Sequence, residues 1–339
     1  MSTCIGLDIG GANIKLSNGV DRTIEIAFPL WKSPETLAAT LTSLGSLLAT
    51  PPDTVALTMT GELADCFRTK ADGVEHILNS VEAAFPSSVI RIWQSGAEFF
   101  NAEEAREFPI LVAAANWHGL ATWAGRACPL GASMLIDIGS TTTDIIPLSN
   151  GTPIPEGGTD PARLLSGELV YTGVRRTPLC AVTQQIEFRG QLVGVAAELF
   201  ATTRDVYQWL GDLPEDPEDV DTANNRPATR EFARDRLVRM LCADSDEIDD
   251  RETDDLARQW AAAQRGQIRH AIARVLARHS GSLKMVMISG EGEFLARQVI
   301  DEIPELAGVE VLSLAKVLGP EHSVGACAYA VARLASERP

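Results

Sequence analysis

One short pattern occurs twice and limits what this chain can fold into. Residues 7–17 read LDIGGANIKLS and residues 134–146 read MLIDIGSTTTDII. In each, an apolar strand ends in Asp-Ile-Gly, turns through small amide or hydroxyl residues, and returns as a second strand. The first copy is Asp8-Ile9-Gly10; the second, Asp137-Ile138-Gly139, follows 129 positions later, about one domain's length. A carboxylate at a strand end followed by glycine lets a ligand approach the backbone with no Cβ in the way. Gly10, Gly11 and Asn13 can turn N–H groups toward anionic oxygens, with Lys15 as a flexible cation beside them. Gly139, Ser140, Thr141 and Thr142 can do the same and add hydroxyl donors. One copy alone reads as a glycine turn between buried strands; two copies facing one another would be a clamp on a phosphorylated ligand.

The rest of the composition bounds the ligand. The chain has 339 residues, enough for two cored domains, and 46 Asp+Glu against 29 Lys+Arg give a formal charge of -17. That balance disfavours DNA, RNA and anionic membrane surfaces as partners, so any bound phosphate needs local compensation from lysine, backbone N–H groups or a divalent cation. Cysteines 4, 66, 128, 180, 242 and 327 form no C-x-x-C pair and have no histidine at ligand spacing, which argues against disulfides and structural zinc. With no basic, apolar leader and no run of 18 apolar residues, the expectation is a cytoplasmic, reduced enzyme or binding protein.

Strands at 3–17, 23–28, 54–60 and 88–94 alternate with helices at 33–48 and 72–84, the mark of an α/β domain with a mixed sheet. Residues 109–125 predict one helix lined with small residues. Segments 169–179 and 185–195 read as strands or loop edges, and 229–240 and 255–278 as amphipathic helices. Residues 284–294 return to a buried strand ending at Gly290-Glu291-Gly292, and 323–334 close the chain as a helix. The acidic runs 212–221 and 244–255 lack the glycine and terminal glutamate of a calcium loop and read as solvated linkers and helix ends.

The paired hairpins and the third glycine turn resemble the phosphate-1, phosphate-2 and adenosine motifs of the actin-like ATPase, sugar kinase and Hsp70 superfamily. DIGSTTTD, with VALTMTGELADCF, AAANW, LVYTGVRRTPL, NRPATREFARDRLVRML and SGEGEFLA, is similar to the hydantoinase/oxoprolinase-like, tetrahydromethanopterin-linked one-carbon-transfer proteins across nearly the whole chain. The resemblance implies an α/β, two-domain actin-like ATPase (ribonuclease H-like) fold with an interdomain cleft. Residues 1–128 plus 321–339 would form one domain and 129–320 the other.

It further implies a transferase of methanofuran-type cofactor biosynthesis. Such an enzyme joins an aminomethylfuran-methyl group from its diphosphate to the phenol of a tyramine or glutamyl-tyramine-type acceptor and releases diphosphate. In that reading Asp8 and Asp137 hold Mg2+, directly or through water, and Asp144 orients the second hairpin. Lys15 handles the leaving group, and the two hairpins with Gly290 and Gly292 bind the ligand. Glu62, after an apolar strand, is the candidate base for the phenol, with capping of the next helix as the plain alternative for it and Asp65; Glu98 is a weaker rival. Arg175 and Arg176 point oppositely if extended, so at most one can reach a carboxylate or the diphosphate. His118 beside Trp117 reads as packing.

Two positions depart from the superfamily pattern: Ile14 replaces a threonine common in the first hairpin, and Glu291 fills a turn that nucleotide-binding members keep open. The competing readings are an ATP-dependent small-molecule kinase or amidohydrolase, and an actin-like or chaperone-like nucleotide switch. Expected partners are a small-molecule diphosphate and a phenolic acceptor; a homodimer is compatible with the sequence.

Overall fold

A computed structural model describes residues 3–279 and 281–338. Its strands are β1 (Cys4–Ile9), β2 (Asn13–Ser17), β3 (Thr23–Ala27), β4 (Thr54–Met59), β5 (Val89–Trp93) and β6 (Phe99–Phe100), followed by β7 (Ala132–Ile138), β8 (Thr143–Ser149), β9 (Thr152–Pro153), β10 (Leu169–Val170), β11 (Gln185–Phe188), β12 (Gln191–Gly194), β13 (Met285–Ser289) and β14 (Glu310–Ser313). The first sheet runs β3-β2-β1-β4-β5-β6 and the second β10-β8-β7-β13-β14, with β9 on β8. Each sheet has an antiparallel hairpin at its centre, β1–β2 or β7–β8, whose first strand then pairs in parallel with β4 or β13. This repeated strand order is the two-sheet α/β architecture expected of the actin-like fold. β11 and β12 form a separate hairpin.

The alternation of side chains along a strand decides what faces the space between the sheets. On β1, Ile5, Leu7 and Ile9 enter a core with Leu41 and Ile77 of helices Leu37–Ser46 and Lys70–Ala84. Gly6 and Asp8 therefore face the other way. On β7, Met134, Ile136 and Ile138 pack with Trp260 and Ile268 of the long helix Asp250–Leu276, leaving Leu135 and Asp137 on the opposite face. Leu135 belongs to a third core, where Trp117 and Leu120 of helix Asn116–Ala124 meet Ile146, Met287 and Ala330. That core holds helices Asn116–Ala124 and Ala326–Glu337 against the second sheet.

Helix Ala326–Glu337 lies directly on β1, and a Cβ on Gly6 would stand 1.9 Å from the Ala328 carbonyl oxygen. Only glycine allows this approach. Elsewhere the expected 109–125 helix is broken into Pro109–Val112 and Asn116–Ala124, because Ala114 takes a left-handed conformation at φ 47. The segment expected from 33 to 48 begins as a 3-10 turn, Pro34–Thr36, and continues as an α-helix only from Leu37 to Ser46. Among the described residues, no helix is long and apolar enough to cross a membrane.

Gly6→Ala is expected to lower stability by roughly 2–4 kcal/mol, since neither backbone can yield without strain. Urea unfolding of the variant checks this, and a midpoint equal to that of the parent would show that the helix is not held so closely.

Candidate active site

The two hairpins meet. A cavity of about 540 Å³ between the sheets is lined by Asp8, Gly10, Gly11, Asn13 and Lys15 from the first and by Asp137 with residues 139–142 from the second. The turns are built alike: the Gly10 N–H donates to the Asn13 carbonyl at 2.9 Å, and the Gly139 N–H to the Thr142 carbonyl at 2.9 Å. The strand partners differ. Asp8 lies opposite Lys15 across β1–β2, whereas Asp137 lies opposite Asp144 across β7–β8.

That difference sets the electrostatics. Burial pushes Asp8 up to about 6, with Lys15 pulling it down and Glu25 pushing it up. Asp137 is raised further, to about 7, first by burial and then by Asp144, against the pull of Lys15. Burial pulls Lys15 down, but Asp8 and Glu25 outweigh it and hold its ammonium above the usual lysine range. Asp144 is in turn bound by Arg163, which is 1% exposed, also lies 3.5 Å from Asp160, and stacks over Trp117 at 4.1 Å.

Asp8 is 6% exposed and its Oδ1 is buried without a hydrogen-bond partner. An unpaired carboxylate oxygen facing a second raised carboxylate fits a hard divalent cation, which would relieve both desolvation costs. The described residues hold no group of three or more His, Cys, Asp or Glu suited to a metal. Magnesium requires none, since one or two carboxylates with substrate oxygens and water commonly suffice.

Glu62 occupies the 3-10 turn Gly61–Leu63 just after β4 and lines the same cavity. It is 1% exposed, its Oε2 has no partner, and burial pushes it up to about 7, opposed by backbone donors and by Lys70. Its side chain caps no helix; the following helix is capped by Thr69 and Asp72. Lys70 reaches Asp160 of the other half at 3.9 Å.

Other expected residues lie elsewhere. Gly290 and Gly292 do not line the cavity. A Cβ on Gly290 would stand 2.4 Å from the Ile138 carbonyl oxygen, and one on Gly292 2.5 Å from the Ile138 side chain, so this turn packs behind the second hairpin. Glu291 and Arg175 form an ion pair, with Nε to Oε2 at 2.6 Å. The two arginines lie in a bend and not in a strand, both N–H groups donating to the Ser140 carbonyl, and of the pair Arg176 lines the cavity. Glu98 is exposed and outside the lining, while Asp65 is within it. His118 packs between Trp93 and Trp117, and burial lowers it to about 4. Sequence reasoning passed over Trp31, Lys70, Asp160 and Arg163; the Asp-Pro opening of helix Asp160–Ser166 was the available signal for the last two.

Because the folded-state value of Glu62 is raised, its protonated form favours folding. That contribution is complete below the ordinary glutamate range and is lost as pH rises through about 7. Glu62→Gln is therefore expected to stabilise the free protein at pH 8 by about 1–3 kcal/mol and much less at pH 5. Thermal unfolding at the two pH values checks the sign, and an equal shift at both would place Glu62 in water.

A family model described as Hydantoinase/oxoprolinase matches residues 53–338. The chain is 35% identical, over 97% of its length and 96% of the relative's, to a Methanocaldococcus jannaschii protein named "(4-{4-[2-(gamma-L-glutamylamino)ethyl]phenoxymethyl}furan-2-yl)methanamine synthase". A Methanococcus vannielii protein of the same name is 29% identical over 59% of this chain and 89% of the relative. Among solved structures, the nucleotide-free acetone carboxylase aligns with a TM-score of 0.54 at 11% identity, covering 97% of this chain and 70% of that one. That likeness concerns the fold alone.

Proposed function

The chain belongs to the hydantoinase/oxoprolinase family, and we propose that it is a transferase joining an aminomethylfuran-methyl group, delivered as its diphosphate, to the phenol of a tyramine or glutamyl-tyramine-type acceptor. The observation that carries this reading is the meeting of two phosphate-type hairpins with a buried, unpartnered carboxylate of raised proton affinity in one cavity. The names of the two relatives describe a product with that ether between a phenol and a furan-methyl carbon.

The furan ring stabilises positive charge at its methyl carbon, so the main barrier is charge growing on departing diphosphate. N–H groups of the Gly10–Asn13 and Gly139–Thr142 turns and the Lys15 ammonium act on that charge where it develops. A magnesium ion held by Asp8 and Asp137, directly or through water, would add a fixed positive charge beside the same oxygens. Glu62 accepts the phenolic proton as the phenol oxygen bonds to the methyl carbon and the carbon–diphosphate bond breaks. With a proton affinity near neutrality it is matched to that task. Trp117 and Leu63 add apolar surface to the cavity wall.

Purified protein, magnesium, furan-methyl diphosphate and a tyramine-type phenol should yield ether and diphosphate without ATP. ADP or AMP formation coupled to another acceptor would instead establish the kinase or amidohydrolase reading. Asp137→Asn should abolish turnover without loss of folding. For the parent enzyme, kcat/KM should fall as pH drops below about 7. Glu62→Gln should lower kcat by about 10²–10⁴-fold. Full activity in either variant would remove that residue from the mechanism.

A further inference from the structure

Six carboxylates line the cavity among the described residues, against three cations, Lys15, Arg163 and Arg176. Two of the three are engaged. Lys15 lies 3.9 Å from Glu25, and Arg163 is held by Asp144 and Asp160. Arg176 has neither an ion pair nor a side-chain hydrogen bond among the described residues. A diphosphate entering this acidic cleft adds further negative charge, so an uncommitted guanidinium at its wall is the available protein counter-charge.

Its attachment is equally specific. The Arg176 N–H donates to the Ser140 carbonyl at 2.9 Å, which fixes the residue to the second hairpin. The guanidinium lies over Trp31 at 4.8 Å, and Leu30, next in sequence to Trp31, donates its N–H to the Gly11 carbonyl at 3.0 Å in the first hairpin. Arg176 thus reaches from one hairpin turn to the rim of the other. Stacking occupies the face of a guanidinium and leaves its N–H edge free for bidentate contact with phosphate.

We propose that Arg176 is a further catalytic residue, which grips the leaving diphosphate across the cleft while Trp31 holds its guanidinium in place. This rests on the proposed reaction: as the bond from the furan-methyl carbon to diphosphate oxygen breaks, the electron pair stays on that oxygen. The Arg176 N–H groups meet the charge there, while the phenol oxygen completes the new bond and its proton passes to Glu62.

The test measures binding of inorganic diphosphate with magnesium by calorimetry, alongside ether formation, for the parent, Arg176→Met and Arg176→Lys. Arg176→Met should weaken diphosphate binding about 30-fold or more and lower kcat about 10²-fold, with the acceptor KM changed less than about threefold. Arg176→Lys should recover part of the binding, showing that the loss is of charge and not of folding. Diphosphate binding unchanged in Arg176→Met, or an effect on the acceptor KM alone, would overturn the assignment and leave the transferase reading intact. Arg176-dependent diphosphate binding in a protein that forms no ether would uphold the grip on diphosphate, overturn its catalytic role and refute the transferase reading.

Discussion

The molecule is organised around two carboxylates that point into the same buried space. Period-two alternation turns Asp8 away from the first hydrophobic core and Asp137 away from the second, and both then face the joint between the sheets. Burying them without full compensation costs free energy, which the raised proton affinities of both record. The hairpins share geometry but divide the charges differently. Opposite Asp8 stands Lys15; opposite Asp137 stands Asp144, whose charge is met by buried Arg163 from another segment. In the proposed reading, a ligand that brings a divalent cation and anionic oxygens together would resolve this imbalance from both sides.

The neighbouring structure keeps those carboxylates at short range. Helix Ala326–Glu337 lies against β1 at Gly6 and contributes Ala330 to the core shared with Leu135 and Trp117. Cys327 of this helix lines the cavity and is buried, with its thiol raised well above the ordinary range by burial and by Asp8 and Asp137. Beyond the turns, Lys70 and Asp160 connect the two halves at another edge of the cleft. The site is thus set on strand ends and turns braced by helices, where position is well defined.

Much of this could be read from residues alone, because strand, aspartate and glycine carry their structural meaning locally. The two hairpins, their opposed partners at Lys15 and Asp144, and the placement of Glu62 after β4 all follow from short-range pattern. What could not be read depends on long-range packing. Ala114 in a left-handed conformation breaks a segment whose composition favours helix, and alanine gives no warning of it. Arg163 and Asp160 sit in a short helix marked only by its Asp-Pro opening, and their meaning appears only when Asp144 and Lys70 arrive from elsewhere. The Gly290-Glu291-Gly292 turn looks like a ligand loop in sequence; its glycines instead permit contact with Ile138, and its glutamate meets Arg175. The four-residue β14 at the sheet edge is too short for a pattern to mark.

A crystal structure of the protein with magnesium and inorganic diphosphate tests the central claim most directly. The account predicts density for the anion between the two turns, with their N–H groups on its oxygens and the cation within reach of both Asp8 and Asp137. Diphosphate bound outside the cleft, or bound inside it with either aspartate turned away, would contradict the account.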